Sequence, residues 1–167
     1  RKAKRTGLTK SAIDEDSPLK GRSMIMIFEK PSTRTRISFD IAIKQLGGST
    51  ITLNPEGIHY GKGDESLKDT AKVLSEYADI IMIRTSKHKN LEEFSKYSTI
   101  PLINGLSDLS HPCQVISDIL TFEEHKGDIS GKKLAWIGDG NNNMSNSFIE
   151  ASAKFKFILN IGCPKKY

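Results

Sequence analysis

An unbroken apolar run, Met24-Ile25-Met26-Ile27-Phe28, leads directly into Glu29-Lys30-Pro31-Ser32-Thr33-Arg34-Thr35-Arg36. The run reads as a buried strand. Beyond it, Ile37, Phe39, Ile41, Ala42 and Leu46 follow a helical spacing. Pro31 stops the strand, and Ser32 or Thr33 can cap the helix. A buried strand that hands over to a helix within a few residues opens a β-α unit. It also sets hydroxyls and arginines at the helix start, where the first N–H groups have no internal partners and the dipole favours an anion. Taken alone, the turn fits either a capped helix with solvated arginines or a phosphate site. In the phosphate site, Thr33 and Thr35 donate hydroxyls and Arg34 or Arg36 adds a guanidinium fork.

The same alternation continues along the chain. Strands are expected at 23–28, 49–53, 80–83, 100–103, 133–137 and 157–161, and helices at 33–46, 66–77, 91–97, 112–125 and 143–156. Gly47-Gly48 ends the first helix. Asn54–Asp64, with Pro55, Gly57, Gly61 and Gly63, is a loop. Alternating strands and helices make an α/β fold with a parallel sheet and helices on both faces. Ligand sites in such sheets lie at the carboxyl ends of the strands. Arg34, Arg84, His111 and Asn143 all follow apolar strands, which places them at such ends.

Three further stretches are candidates for chemistry. Arg84 closes Ile80-Ile81-Met82-Ile83, either as the first solvated residue or pointing into a crevice. His111-Pro112-Cys113-Gln114 opens a helix with Pro at its first position. Its imidazole and carboxamide can bind an amide-like group, or His111 can simply cap the helix. Gly138-Asp139-Gly140-Asn141-Asn142-Asn143 is a strand-to-helix turn without the G-x-G-x-x-G spacing, so a dinucleotide is set aside.

A net charge of +5 suits an anionic substrate and is too mild to argue for nucleic acid. Cys113 and Cys163 provide neither a disulfide framework nor a zinc spacing, and read as reduced, partly buried thiols in a cytoplasmic protein. No apolar run approaches the length of a membrane span. The chain opens on Arg1 without an initiator Met and is read as a fragment or a processed chain.

Residues 28–36, F-E-K-P-S-T-R-T-R, resemble the carbamoyl-phosphate loop of the aspartate and ornithine carbamoyltransferases. Met82–His88 resembles the family's M-x-R-x-x-x-H, and His111–Gln114 its H-P-C-Q in the ornithine branch. Residues 138–147 resemble the G-D-G-N-N turn that opens the amino-acid domain, and Ile58–Ser66 the loop a neighbouring subunit lends to the site. The resemblance covers nearly all of residues 20–167 and lacks the later D-x-x-x-S-M-G and H-C-L-P segments. It implies a carbamoyl-phosphate domain at 1–128 and the first β-α-β of an ornithine domain at 129–167. It implies that Ser32, Thr33, Arg34 and Thr35 hold the phosphate, while Arg84, His111 and Thr35 hold the carbonyl oxygen. Gln114 would orient the carbamoyl amide, Asn143 would bind ornithine, and His59 would reach in from a neighbouring subunit of a homotrimer. Cys113 is then a spacer. No metal or organic cofactor is implied, and the expected partners are carbamoyl phosphate and L-ornithine. An acceptor other than ornithine (aspartate, putrescine or an acylated ornithine) and a non-catalytic phosphate-binding domain remain the alternatives. With two strands and one helix, the second domain is expected to leave Phe148, Ile149, Phe155, Phe157 and Ile158 partly exposed, unless they pack on the first domain or on another chain.

Overall fold

Strand β1 (Ser23–Phe28) is buried along nearly its whole length, and its side chains divide by the two-residue period of a strand. The computed structural model describes residues 12–54 and 66–165. In chain order the remaining elements are α1 (Thr33–Gln45), β2 (Ser49–Leu53), α2 (Leu67–Tyr77), β3 (Ile80–Arg84), α3 (His88–Tyr97), β4 (Leu102–Leu106), α4 (Pro112–Lys126), β5 (Lys133–Ile137), α5 (Asn143–Phe155) and β6 (Ile158–Gly162). Two compact units form, one up to Ile103 and one from Asn104 onward.

In the first unit, β1 pairs in parallel with β2 on one side and β3 on the other, within the order β2-β1-β3-β4. Ile25 and Ile27 of β1, with Ile81 and Ile83 of β3, pack on Ala71 of α2 and on Leu91 and Phe94 of α3. Met24, Met26 and Phe28, with Met82, face the other way onto Ile43 of α1. Helices therefore cover both faces, and strands buried on both faces read as the continuous apolar runs seen in the sequence. The Phe28↔Arg84 register brings the ends of β1 and β3 level. That alignment sets the turn after β1 beside the turn after β3.

Gly47 ends α1 at φ 87°, and a Cβ there would lie 3.0 Å from that of Ser17, so both backbone and space call for glycine. Two boundaries differ from expectation. Helix α3 starts three residues early, at His88. Strand β4 begins only after Pro101, which has no N–H to offer, and runs on through Asn104-Gly105, where local turn preference gives way to tertiary context.

In the second unit, β5 and β6 pair in parallel around α5, a single β-α-β unit. Val115 and Ile119 of α4 join Ile129, Ala151 and Phe157 in one cluster, with Leu134, Phe148 and Leu159 against it. Ile149, Phe155 and Ile158 are exposed, as two strands and one helix require, and Ile137 is 86% exposed. Phe157 is buried in the cluster it shares with Val115 and Ile119, the packing that the expectation of partial exposure left open. Lys156 takes the left-handed conformation at φ 57°, and the Phe157 N–H donates to the Ser152 carbonyl, folding the ring inward.

Candidate functional site

In the first unit, the candidate site is the turn between β1 and α1. Ser32 is the N-cap residue, extended at φ −151° and ψ 95°, and its hydroxyl makes no capping bond. No acidic residue lies in the first turn of α1. The positive end of the helix is thus paired with neither a capping oxygen nor a carboxylate of its own. Thr33 and Arg34 are exposed, while Ser32 and Thr35 are half-buried.

Arg84, the last residue of β3, sends Nη1 to Thr35 Oγ1 at 3.1 Å. This bond joins residues 49 apart in sequence, and Arg84 Nε is buried without a hydrogen-bond partner among the described residues. Desolvation, then the positive charge of Arg34, pushes the Arg84 guanidinium below its ordinary range. Among the described residues neither arginine has a carboxylate partner. Two guanidiniums held at one turn, with hydroxyls and free helix N–H groups, suit a doubly charged anion.

Sequence reading missed Glu29, an acid inside this basic turn. Its Oε2 accepts from the Ser86 N–H at 3.1 Å, and its Oε1 accepts from Asn90 Nδ2 at 3.2 Å. The Glu29 N–H donates to the Arg84 carbonyl at 2.9 Å. Nothing short of the strand register could have signalled these partners.

A separate group of candidate residues lies in the second unit. His111 is the N-cap of α4, ahead of Pro112. Its backbone N–H donates to Ser147 Oγ at 2.7 Å, and Ser147 in turn donates to the Asn143 carbonyl at 2.7 Å. Asn143 Nδ2 donates to the Ser107 carbonyl at 2.9 Å, and Asn146 Nδ2 to that of Leu109 at 3.1 Å. Two asparagines and a serine of α5 therefore grip the loop that carries His111. Asn142, rather than Asn143, caps α5, accepting from the N–H groups of Met144 and Ser145. Gln114 is exposed and donates to Asp118 at 2.8 Å. Cys113 Sγ donates to the Asn104 carbonyl at 3.3 Å, and burial pushes its thiol above the usual range, which disfavours the thiolate a nucleophile needs. Cys163, expected to be partly buried, is exposed. His59 lies outside the described residues.

Residues 1–124 match the family model described as aspartate/ornithine carbamoyltransferase, carbamoyl-P binding domain, and residues 130–167 match that of the Asp/Orn binding domain. The chain belongs to the aspartate/ornithine carbamoyltransferase family. Its relatives include the ornithine carbamoyltransferase of Caulobacter vibrioides, 52% identical over 100% of this chain and 53% of the relative. That of Rhizorhabdus wittichii is 50% identical over the same shares. The solved ornithine carbamoyltransferase of Pyrococcus furiosus superposes with a TM-score of 0.87 at 42% identity, covering 99% of this chain and 50% of that one. The chain thus spans about half the length of the curated relatives it matches. The carbamoyltransferase family model for carbamoyl phosphate falls on the residues that carry the Ser32–Thr35 turn and Arg84.

Proposed function

We propose that residues 1–128 bind carbamoyl phosphate and that residues 129–167 begin an ornithine-binding domain. The proposed reaction transfers the carbamoyl group to the side-chain amine of L-ornithine, giving L-citrulline and phosphate. The neutral amine nitrogen attacks the carbonyl carbon and forms the C–N bond. The bond from that carbon to the phosphate oxygen breaks, phosphate leaves with the electron pair, and the amine gives up a proton. Ser32, Thr33, Arg34 and Thr35 receive the leaving phosphate. Arg84, His111 and Thr35 stabilise the carbonyl oxygen as it gains charge. Gln114 orients the carbamoyl amide, and Asn143 holds the amino-acid end of ornithine. Positioning and electrostatics carry the rate, without a covalent intermediate. The setting is the cytoplasm.

The observation that best supports this reading is the Arg84–Thr35 hydrogen bond beside Arg34 at a helix start without acids. The test is calorimetric titration of the protein and its Arg34→Ala variant with carbamoyl phosphate. Loss of one charged hydrogen bond, about 1.5–3 kcal/mol, weakens binding by roughly 10- to 150-fold. Equal affinity in both proteins refutes the phosphate role of the turn.

A further inference from the structure

We infer that Glu29 is a positioning residue for Arg84, setting the distance between the two turns that flank the bound anion. This inference rests on the carbamoyl-phosphate reading above and deepens it. A carboxylate at the mouth of an anion site should repel its ligand, so its presence needs a physical reason. Glu29 does not pair with Lys30, Arg34 or Arg36, the cations around it in sequence. It reaches across to the neighbouring turn and satisfies three donors there. Ser86 N–H and Asn90 Nδ2 lie at 3.1 and 3.2 Å, and Ser86 Oγ adds a longer contact at 3.4 Å. Together with the Glu29 N–H to the Arg84 carbonyl at 2.9 Å, backbone and side chain of this residue clamp the chain from the Arg84 carbonyl onward.

The clamp governs where the guanidinium can be. Arg84 is the last strand residue, and past it the chain leaves the sheet at Thr85 and Ser86. Without Glu29, the Ser86 N–H and the Asn90 amide have only solvent, and the turn gains freedom at the point that aims Arg84 at Thr35. A long, partly desolvated side chain aimed from a loose turn loses the alignment that makes a guanidinium fork effective. Because Glu29 accepts from neutral donors, its ionisation strengthens those bonds rather than neutralising an arginine.

The test separates positioning from charge. Glu29→Ala removes both the charge and the reach. Glu29→Asp keeps the charge and draws the carboxylate back by one methylene. Carbamoyl phosphate affinity is measured by calorimetry in the whole protein, with circular dichroism to establish that each variant is folded. Positioning predicts that both variants bind about tenfold more weakly, the size of one or two lost hydrogen bonds. It also predicts that, in an Arg84→Ala background, either change at position 29 has no further effect on affinity. A purely electrostatic role predicts tighter binding in Glu29→Ala and no change in Glu29→Asp. That result, or a loss that persists in full without Arg84, overturns the inference. If Glu29→Ala does not fold, the Asp variant and its cycle with Arg84 decide alone. If the unaltered protein binds no carbamoyl phosphate, the binding reading fails and this one with it. If it binds and position 29 is neutral, only the positioning role fails.

Discussion

Replacing Arg84 by Met should cost anion affinity while leaving stability nearly unchanged. The Met side chain keeps most of the apolar stem and removes the guanidinium. Among the described residues Arg84 makes one side-chain hydrogen bond, from Nη1 to Thr35, and its Nε is buried without a partner. Its charge is also disfavoured by desolvation and by Arg34. An unsatisfied buried donor costs about 1–3 kcal/mol, while the lost charged hydrogen bond contributes about 1.5–3 kcal/mol. The two nearly offset, so the variant without anion lies within about 2 kcal/mol of the unaltered protein. Binding has no such offset. Loss of a charged hydrogen bond, about 1.5–3 kcal/mol, weakens anion affinity by roughly 10- to 150-fold. The assay is thermal unfolding with and without inorganic phosphate at 100 times the dissociation constant of the unaltered protein. Binding then adds about 2.7 kcal/mol to the unaltered protein. The same phosphate concentration adds between about a tenth and half of that to the variant. A chain of this size gains about 2–4 °C per kcal/mol, so the unaltered protein rises by roughly 5–11 °C. If Arg84→Met is destabilised by about 3 kcal/mol or more without anion, and phosphate raises both proteins equally, Arg84 is a structural arginine and the reasoning is wrong.

Iodoacetamide at neutral pH should label exposed Cys163 about tenfold or more faster than Cys113, whose thiol burial holds protonated. Peptide mass spectrometry reads that order, and carbamoyl phosphate affinity unchanged in Cys113→Ala checks the spacer role. Asp79 accepts from the Ser23 N–H and from Arg22, which lowers its pKa below 3.8, so its stabilising effect is present above that value and lost as pH falls through the lower folded-state value. Asp79→Asn should therefore lower the urea midpoint at pH 7, by a margin that shrinks below pH 3.8. The protein should assemble as a homotrimer in which His59 serves a neighbour's site. Mixing His59→Ala with Arg34→Ala then restores carbamoyl phosphate binding in a fraction of sites, whereas a monomer by light scattering, or no recovery on mixing, rules this out.

Much of the first unit was legible because its physics is local and repetitive. Strands buried on both faces must be apolar without interruption, so 24–28 and 80–83 announced themselves. Helix ends were marked by Pro112 and Gly47, whose backbones permit little else. The turn at 32–35 stood out as an anion site because the first turn of any helix has unpaired N–H groups. Strand β4 was placed too early because Asn104 and Gly105 favour turns locally, and whether Phe157 is covered was left open because its burial depends on one left-handed residue before it.

The sequence by itself determined the α/β alternation, the strand-to-helix turn at 32–35 and the family to which the chain belongs. These depend on spacings of a few residues, where period and capping chemistry decide the outcome. Only the tertiary structure decided that Arg84 meets Thr35, that Glu29 clamps the turn beyond Arg84, and that Asn143 and Ser147 hold the loop of His111. These partners lie 36 to 57 residues apart. Their meeting depends on strand register and helix placement, which fix the last ångström of each side chain and which no local pattern encodes.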